Sequence, residues 1–149
     1  MSTSKAYSAQ GMTISIGTAD AVTTDAASDV FVEIKEANDA DPPSPSADTI
    51  ETTHLKSDIK EFIAGLLDGG EASLTCNFIN DDPGQLECRE AMTQRQRRNI
   101  RFDFPTTLTP NRLDAQVIVT SMPIKTPGND KATVTINFKV TSVYAWSNQ

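Results

Sequence analysis

Histidine is nearly absent from this chain of 149 residues, with His54 the single imidazole. An acid–base or metal site built on histidine would therefore have to recruit carboxylate or cysteine partners. The two cysteines, Cys76 and Cys88, cannot by themselves make a disulfide framework or a four-ligand zinc site. No apolar run approaches the roughly 20 residues that a membrane-spanning helix needs, so no membrane insertion is expected. The opening MSTSKAYSAQGM has no apolar centre of the signal-peptide kind. Aromatic residues are sparse, with one Trp, two Tyr and six Phe, and Phe78, Phe102, Phe104 and Phe138 fall on core parities. Little is left over for a stacking platform that would hold sugars. Bases are outnumbered too: 13 Lys and Arg against 20 Asp and Glu give a net charge of -7. That balance disfavours a sequence-independent grip on nucleic acid.

The charge is also unevenly placed. Residues 20–82 hold fifteen acids and three bases, whereas residues 83–149 hold five acids and nine bases. Chance produces such asymmetry, and so does a head-to-tail oligomer, which joins two different patches of one surface.

Alternation with a period of two runs through much of the chain. Met12, Ile14 and Ile16 alternate with polar residues, and Val30, Val32 and Ile34 alternate with Phe31, Glu33 and Lys35. The same holds for Ala72, Leu74, Cys76 and Phe78, for Ile100, Phe102 and Phe104, and for Ala132 through Val140. Strands with one face on a core and one face polar need this pattern. Ala115–Met122 differs, because both its faces carry apolar residues. If Val117 and Val119 face the core, Ile118 and Met122 project to the other side and offer an exposed apolar row to another chain.

Asp81-Asp82-Pro83 supplies an N-cap region and a first-turn proline, so a helix is expected at about 83–97 with Leu86, Ala91 and Met92 as its apolar stripe. Arg95, Arg97 and Arg98 would close its last turn, and Asn99 would stop it. Residues 17–29 read as an acidic loop. Residues 37–49 (ANDADPPSPSADT) hold no aromatic or large aliphatic residue, and a long extended loop over about 37–58 is expected. The fold class is therefore mainly β: an antiparallel sandwich or barrel, one flanking helix and one long loop, with 1–149 as a single domain.

A search for catalytic chemistry returns little. His54 lies in a polar context and reads as a surface or interface residue. Cys76 and Cys88 fall on or near apolar faces and read as small hydrophobes. Nothing singles out two carboxylates for one cleft, and no glycine pattern cradles phosphate. No enzyme, cofactor or metal is expected. Arg95, Arg97, Arg98 and Arg101 suit helix-end charge and inter-subunit pairing, or contact with phosphate. Tyr144 and Trp146 suit closure of the last strand, or anchorage of a neighbour.

From Ile50 onward the sequence carries a composite motif. Ile50-Glu51-Thr52-Thr53 is followed by Lys60-Glu61-Phe62-Ile63-Ala64-Gly65-Leu66-Leu67-Asp68-Gly69-Gly70-Glu71, then by Asn77-Phe78 and an acidic turn that opens a helix. This run resembles the hallmark of major tail tube proteins of long-tailed bacteriophages, which are related to the inner tubes of contractile tails and of type VI secretion. The resemblance implies a virion structural protein, assembled in the host cytoplasm as hexameric rings stacked into a hollow tail tube. Its implied partners are further copies of the chain, the terminator, tape-measure and distal tail proteins, and double-stranded DNA passing without specific binding. The chain stops at Gln149 after its last strand, so the C-terminal immunoglobulin-like domain of some relatives is not expected. Inner tubes or tail-completion rings of contractile devices are the alternative, and a monomeric β-sandwich binding module is a third reading.

Inter-subunit contact residues are expected in the long loop and on the two-faced strand. They are Asp39, Pro42, Pro43, Pro45, Asp48, Ile50, Thr52 and His54, together with Ile118 and Met122. An acidic wall offers phosphates no resting site, and Glu33, Glu71 and Asp103 on polar parities are the candidate lumen residues. Pairing of these carboxylates across subunits is the competing expectation.

Overall fold

The computed structural model describes residues 4–149. In chain order the elements are β1 (Thr13–Gly17), β2 (Phe31–Glu33), β3 (Ala37–Asp41), β4 (Ser46–Glu51), β5 (Phe62–Asp68), β6 (Glu71–Asn77), α1 (Pro83–Gln94), β7 (Arg98–Asp103), β8 (Arg112–Ser121), β9 (Ile124–Lys125) and β10 (Thr133–Ser147). Eight strands form one antiparallel sheet in the order β2-β1-β7-β8-β10-β6-β3, with β9 beside β10, while β4 and β5 pair only with each other. The mainly β class with one helix holds.

The shape follows from one connection. β2 and β3 lie at opposite edges of the sheet yet are joined by only Ile34–Glu36. Laid flat, that path of strands would hold its edges about 29 Å apart at ~4.8 Å per strand. The linking residues reach at most about 14 Å. The sheet must curl until its edges approach, as a flattened barrel. The inward parities then fill one cluster that includes Ile14, Ile16, Leu74, Ile100, Phe102, Leu113, Ile136 and Phe138. Phe104, Tyr144 and Trp146 stand at one rim, with Phe104 stacked on Trp146 at 5.4 Å between ring centroids.

The helix closes the barrel elsewhere and corrects two expectations. Asp82 caps it by accepting from the Gln85 N–H, and the same oxygen accepts from the Lys35 N–H. Gly84 lies against the β2 backbone, where a Cβ would collide with the Glu33 carbonyl. Leu86, expected in the apolar stripe, is exposed. Gln85 is buried instead, because its side chain donates to the Asn77 carbonyl (2.9 Å) and accepts from the Ile79 N–H (3.2 Å). The helix ends at Gln94 rather than 97, since Arg95 turns left-handed (φ 56) and the chain bonds back to the Ala91 and Met92 carbonyls. Arg98 and Asn99 thereby begin β7.

The acidic segment before β2 is a loop, as expected, and the polar parity of β7 and β8 fastens it to the outside of the barrel. Asn99 donates to the Thr24 carbonyl and to Asp29, both at 3.0 Å, and Gln116 donates to the Ala21 carbonyl at 3.2 Å. Arg101 pairs with Asp114 at 2.8 Å while stacking over Phe31 at 4.0 Å.

Candidate assembly surfaces

The long loop expected over 37–58 contains two strands, and only 42–45 and 52–58 are irregular. β3 pairs with β6, placing Asp39 opposite Thr75 and Asp41 opposite Ser73. β4 pairs with β5, placing Ile50 opposite Ile63 and Glu51 opposite Phe62. The second pair is an arm, a hairpin inserted between two neighbouring strands of the barrel. Pro42 to Pro45 form its outgoing root, with Pro43 buried, and Asp68-Gly69-Gly70 form its return. At the tip, the Thr52 N–H donates to the Glu61 carbonyl, and His54 lies 3.4 Å from Glu61.

The arm is apolar on both faces and covered on neither. Ile50, Phe62, Ile63, Leu66 and Leu67 are each more than half exposed. Ile50 and Ile63 share one face; Phe62 and Leu67 share the other, with Thr49 and Ala64 between them. A two-stranded hairpin is marginal in water without a third layer. Of the expected arm contacts, Asp39 falls on β3, Pro42, Pro43 and Pro45 fall on the root, and Asp48, Ile50, Thr52 and His54 lie along the hairpin. Phe62, Ile63, Leu66 and Leu67 were missing from that expected set. Their signal was present as apolar residues on both parities of one run.

Strand edges are also open among the described residues, that of β2 at one end of the sheet included. β3 has a partner on one side only. β8 pairs with β7 no further than Val117, which leaves one edge of 118–125 free. Ile118 projects away from the core as expected, while Val117 and Val119 are buried. Met122 does not join Ile118. Thr120 is bulged out of the pairing with β10, which reverses the parity beyond it, and Met122 packs against the core.

The three carboxylates expected at a lumen lie on different walls. Glu71 heads the outer face of β6, above Ser73, Thr75 and Asn77. Glu33 stands opposite Ser15, and Asp103 opposite Thr13, on the outer face of the β2-β1-β7 half. The halves face each other across one core, so these outer faces point apart. Asp103 is moreover paired with Arg112 at 2.7 Å.

Among the described residues, no group of three or more His, Cys, Asp or Glu could hold a metal ion, and no helix is long and apolar enough to cross a membrane. Cys76 and Cys88 are fully buried, and burial pushes the Cys76 thiol up to about 12 and Cys88 higher still.

The family model for the lambda phage tail tube protein matches residues 13–147. The chain belongs to that family. It is a structural tail tube subunit, a component of the virion tail. Its fold is similar to that of a subunit from the tail of an empty gene transfer agent particle refined with C6 symmetry, at 16% identity and a TM-score of 0.74 over 95% of this chain and 99% of that one. The SPP1 tail tube is similar at 8% identity and a TM-score of 0.68, over 93% of this chain and 77% of that one. A sheath/tube terminator of an extracellular contractile injection system is similar at 13% identity and a TM-score of 0.67, over 95% and 96% of the two chains. No curated protein matches the chain by sequence. The family and these neighbours are structural tube components rather than catalysts.

Proposed function

We propose that six copies of this subunit close into a ring by joining their barrels edge to edge, and that stacked rings form the conduit through which DNA leaves the virion. The observation that carries the reading is the arm, whose two apolar faces have no cover within the subunit. A neighbour on each face supplies it.

The edges suit such a ring. β3 and the 118–125 segment bound a four-stranded stretch, and they run in opposite directions. Repeating the subunit side by side therefore continues the sheet with an antiparallel joint. Acidic Glu36, Asp39 and Asp41 would face an edge that carries Lys125. Six such stretches give a circumference of about 115 Å and a backbone diameter of about 37 Å. Side chains about 5 Å deep leave a channel of roughly 27 Å, enough for a hydrated duplex. The C6 symmetry of the gene transfer agent tail supports the count.

The lumen wall in this reading is the outer face of the β3-β6-β10 stretch, with Ser73, Thr75, Asn77, Thr133, Thr135 and Asn137. It carries hydroxyls and amides, whereas the β2-β1-β7 half is encumbered by the acidic loop. Glu71 belongs to this wall; Glu33 and Asp103 belong to the outside. Residues 1–149 act as one tube-forming unit with no catalytic role. A purified subunit that forms hollow tubes under the electron microscope supports the proposal, and a monomer that persists at high concentration removes it. The likeness to a contractile-system component supports the same ring architecture for an inner tube.

A further inference from the structure

The Asp68-Gly69-Gly70 turn is the most tightly built part of the arm. Gly70 has φ +78, and a Cβ there would strike the Ser44 carbonyl on the outgoing root. A Cβ on Gly69 would collide with the Val140 side chain. The Val140 N–H donates to the Gly70 carbonyl at 3.0 Å. These contacts fix where the arm is rooted. They leave its direction open, because β4 and β5 make their main contacts with each other.

One side-chain contact spans the junction. Asp68 Oδ1 accepts both from the Gly70 N–H (2.9 Å) and from Lys139 Nζ (3.0 Å). Lys139 stands on β10 directly across from Glu71 of β6, yet its ammonium goes to the arm's carboxylate rather than to that neighbour. We propose that Lys139 is a positioning residue, which through Asp68 sets the angle at which the arm leaves the barrel before any neighbour binds. The inference rests on the reading of the arm as the docking element. A preset arm spares the encounter with a second copy part of its ordering cost. The Gly70 N–H and Lys139 hold the Asp68 carboxyl below its usual range, as a charged latch requires. Both side chains are exposed enough that the pair adds little to stability. Pose can therefore be separated from folding.

The test places spin labels at Leu55→Cys, on the arm tip, and Gly128→Cys, in an open turn, in subunit diluted below assembly; the native cysteines are buried. Wild type should give one narrow distance distribution. Lys139→Met should broaden it, and so should Asp68→Asn, which keeps an acceptor for the Gly70 N–H. Each variant should lengthen the assembly lag several-fold without moving the melting temperature, and Lys139→Arg should restore both. Narrow distributions in Lys139→Met and Asp68→Asn would overturn the proposal, as would Lys139→Arg behaving like Lys139→Met. Failure of wild type itself to form tubes would count against the tube reading instead, because the distance measurement does not need assembly.

Discussion

Arg98 and Glu87 meet at 2.8 Å and join the start of β7 to the middle of α1, with the arginine side chain only 3% exposed. The same Arg98 Nη1 donates to the Gly17 carbonyl at the end of β1 (3.1 Å), and Nη2 donates to Gln96 (2.8 Å). One buried cation thus ties three elements together. Removing it strands a carbonyl and a partly buried carboxylate, a loss of about 2–3 kcal/mol. Arg98→Ala should lose that much in urea titration of the unassembled subunit, and Glu87→Gln about 1–3 kcal/mol, because the amide still accepts a hydrogen bond but leaves the buried guanidinium without its counter-charge. Equal, small losses for both would mean that the pair is not a structural anchor.

The arm is expected to matter to assembly and not to folding. Phe62→Ser with Ile63→Ser strips one apolar residue from each face of a hairpin that has no cover in the subunit. The melting temperature should stay within a degree or two while the critical concentration for tubes rises at least tenfold. Unchanged polymerisation would remove the arm from the interface.

Ile118 and Val119 are adjacent but point to opposite sides of β8. Val119→Asp buries a charge in the core and should unfold the subunit or cost several kcal/mol. Ile118→Asp should leave a folded subunit that assembles poorly. If the two variants melt alike, both faces are internal and the 118–125 edge is no interface.

The buried thiols predict an alkaline weakness. Burial raises the folded-state values of Cys76, to about 12, and of Cys88, so the folded state keeps protons that the unfolded chain loses from about pH 9. Stability is therefore full below that pH. It should fall as pH rises above it, by up to about 1.4 kcal/mol per pH unit for each thiol. Urea titrations at pH 8, 9 and 10 should show that slope, and Cys76→Ala with Cys88→Ala should flatten it despite a lower starting stability.

Much of the barrel was legible because its strands have one dry and one wet face, so Ile14, Leu74, Phe102 and Ile136 announced their parity. The arm was not legible in this way. With no core beneath β4 and β5, their apolar residues follow no alternation, and Ala37–Asp41 looks like a loop because its pairing with β6 comes from tertiary context rather than from propensity. The helix misled in the same manner: Gln85 is buried through two hydrogen bonds that hydrophobicity does not register, while Leu86 faces out. Met122 depended on a bulge at Thr120, and nothing in the sequence marks that bulge. Asp68-Gly69-Gly70 stands out in the sequence as a motif, but its reason does not. The reason is steric, since Val140 and Ser44 leave no room for side chains.

In the proposed tube, barrels join edge to edge and enclose DNA with the β3-β6-β10 face inward. A cryo-electron microscopy map of the assembled subunit tests it most directly. Six-fold rings are expected, in which β3 of one subunit lies antiparallel to residues 118–125 of the next. Thr75 and Thr135 should face the channel, and both faces of the arm should be covered. A tube whose channel is lined by Glu33 and Asp103, or one whose arms stand free in solvent, would contradict it.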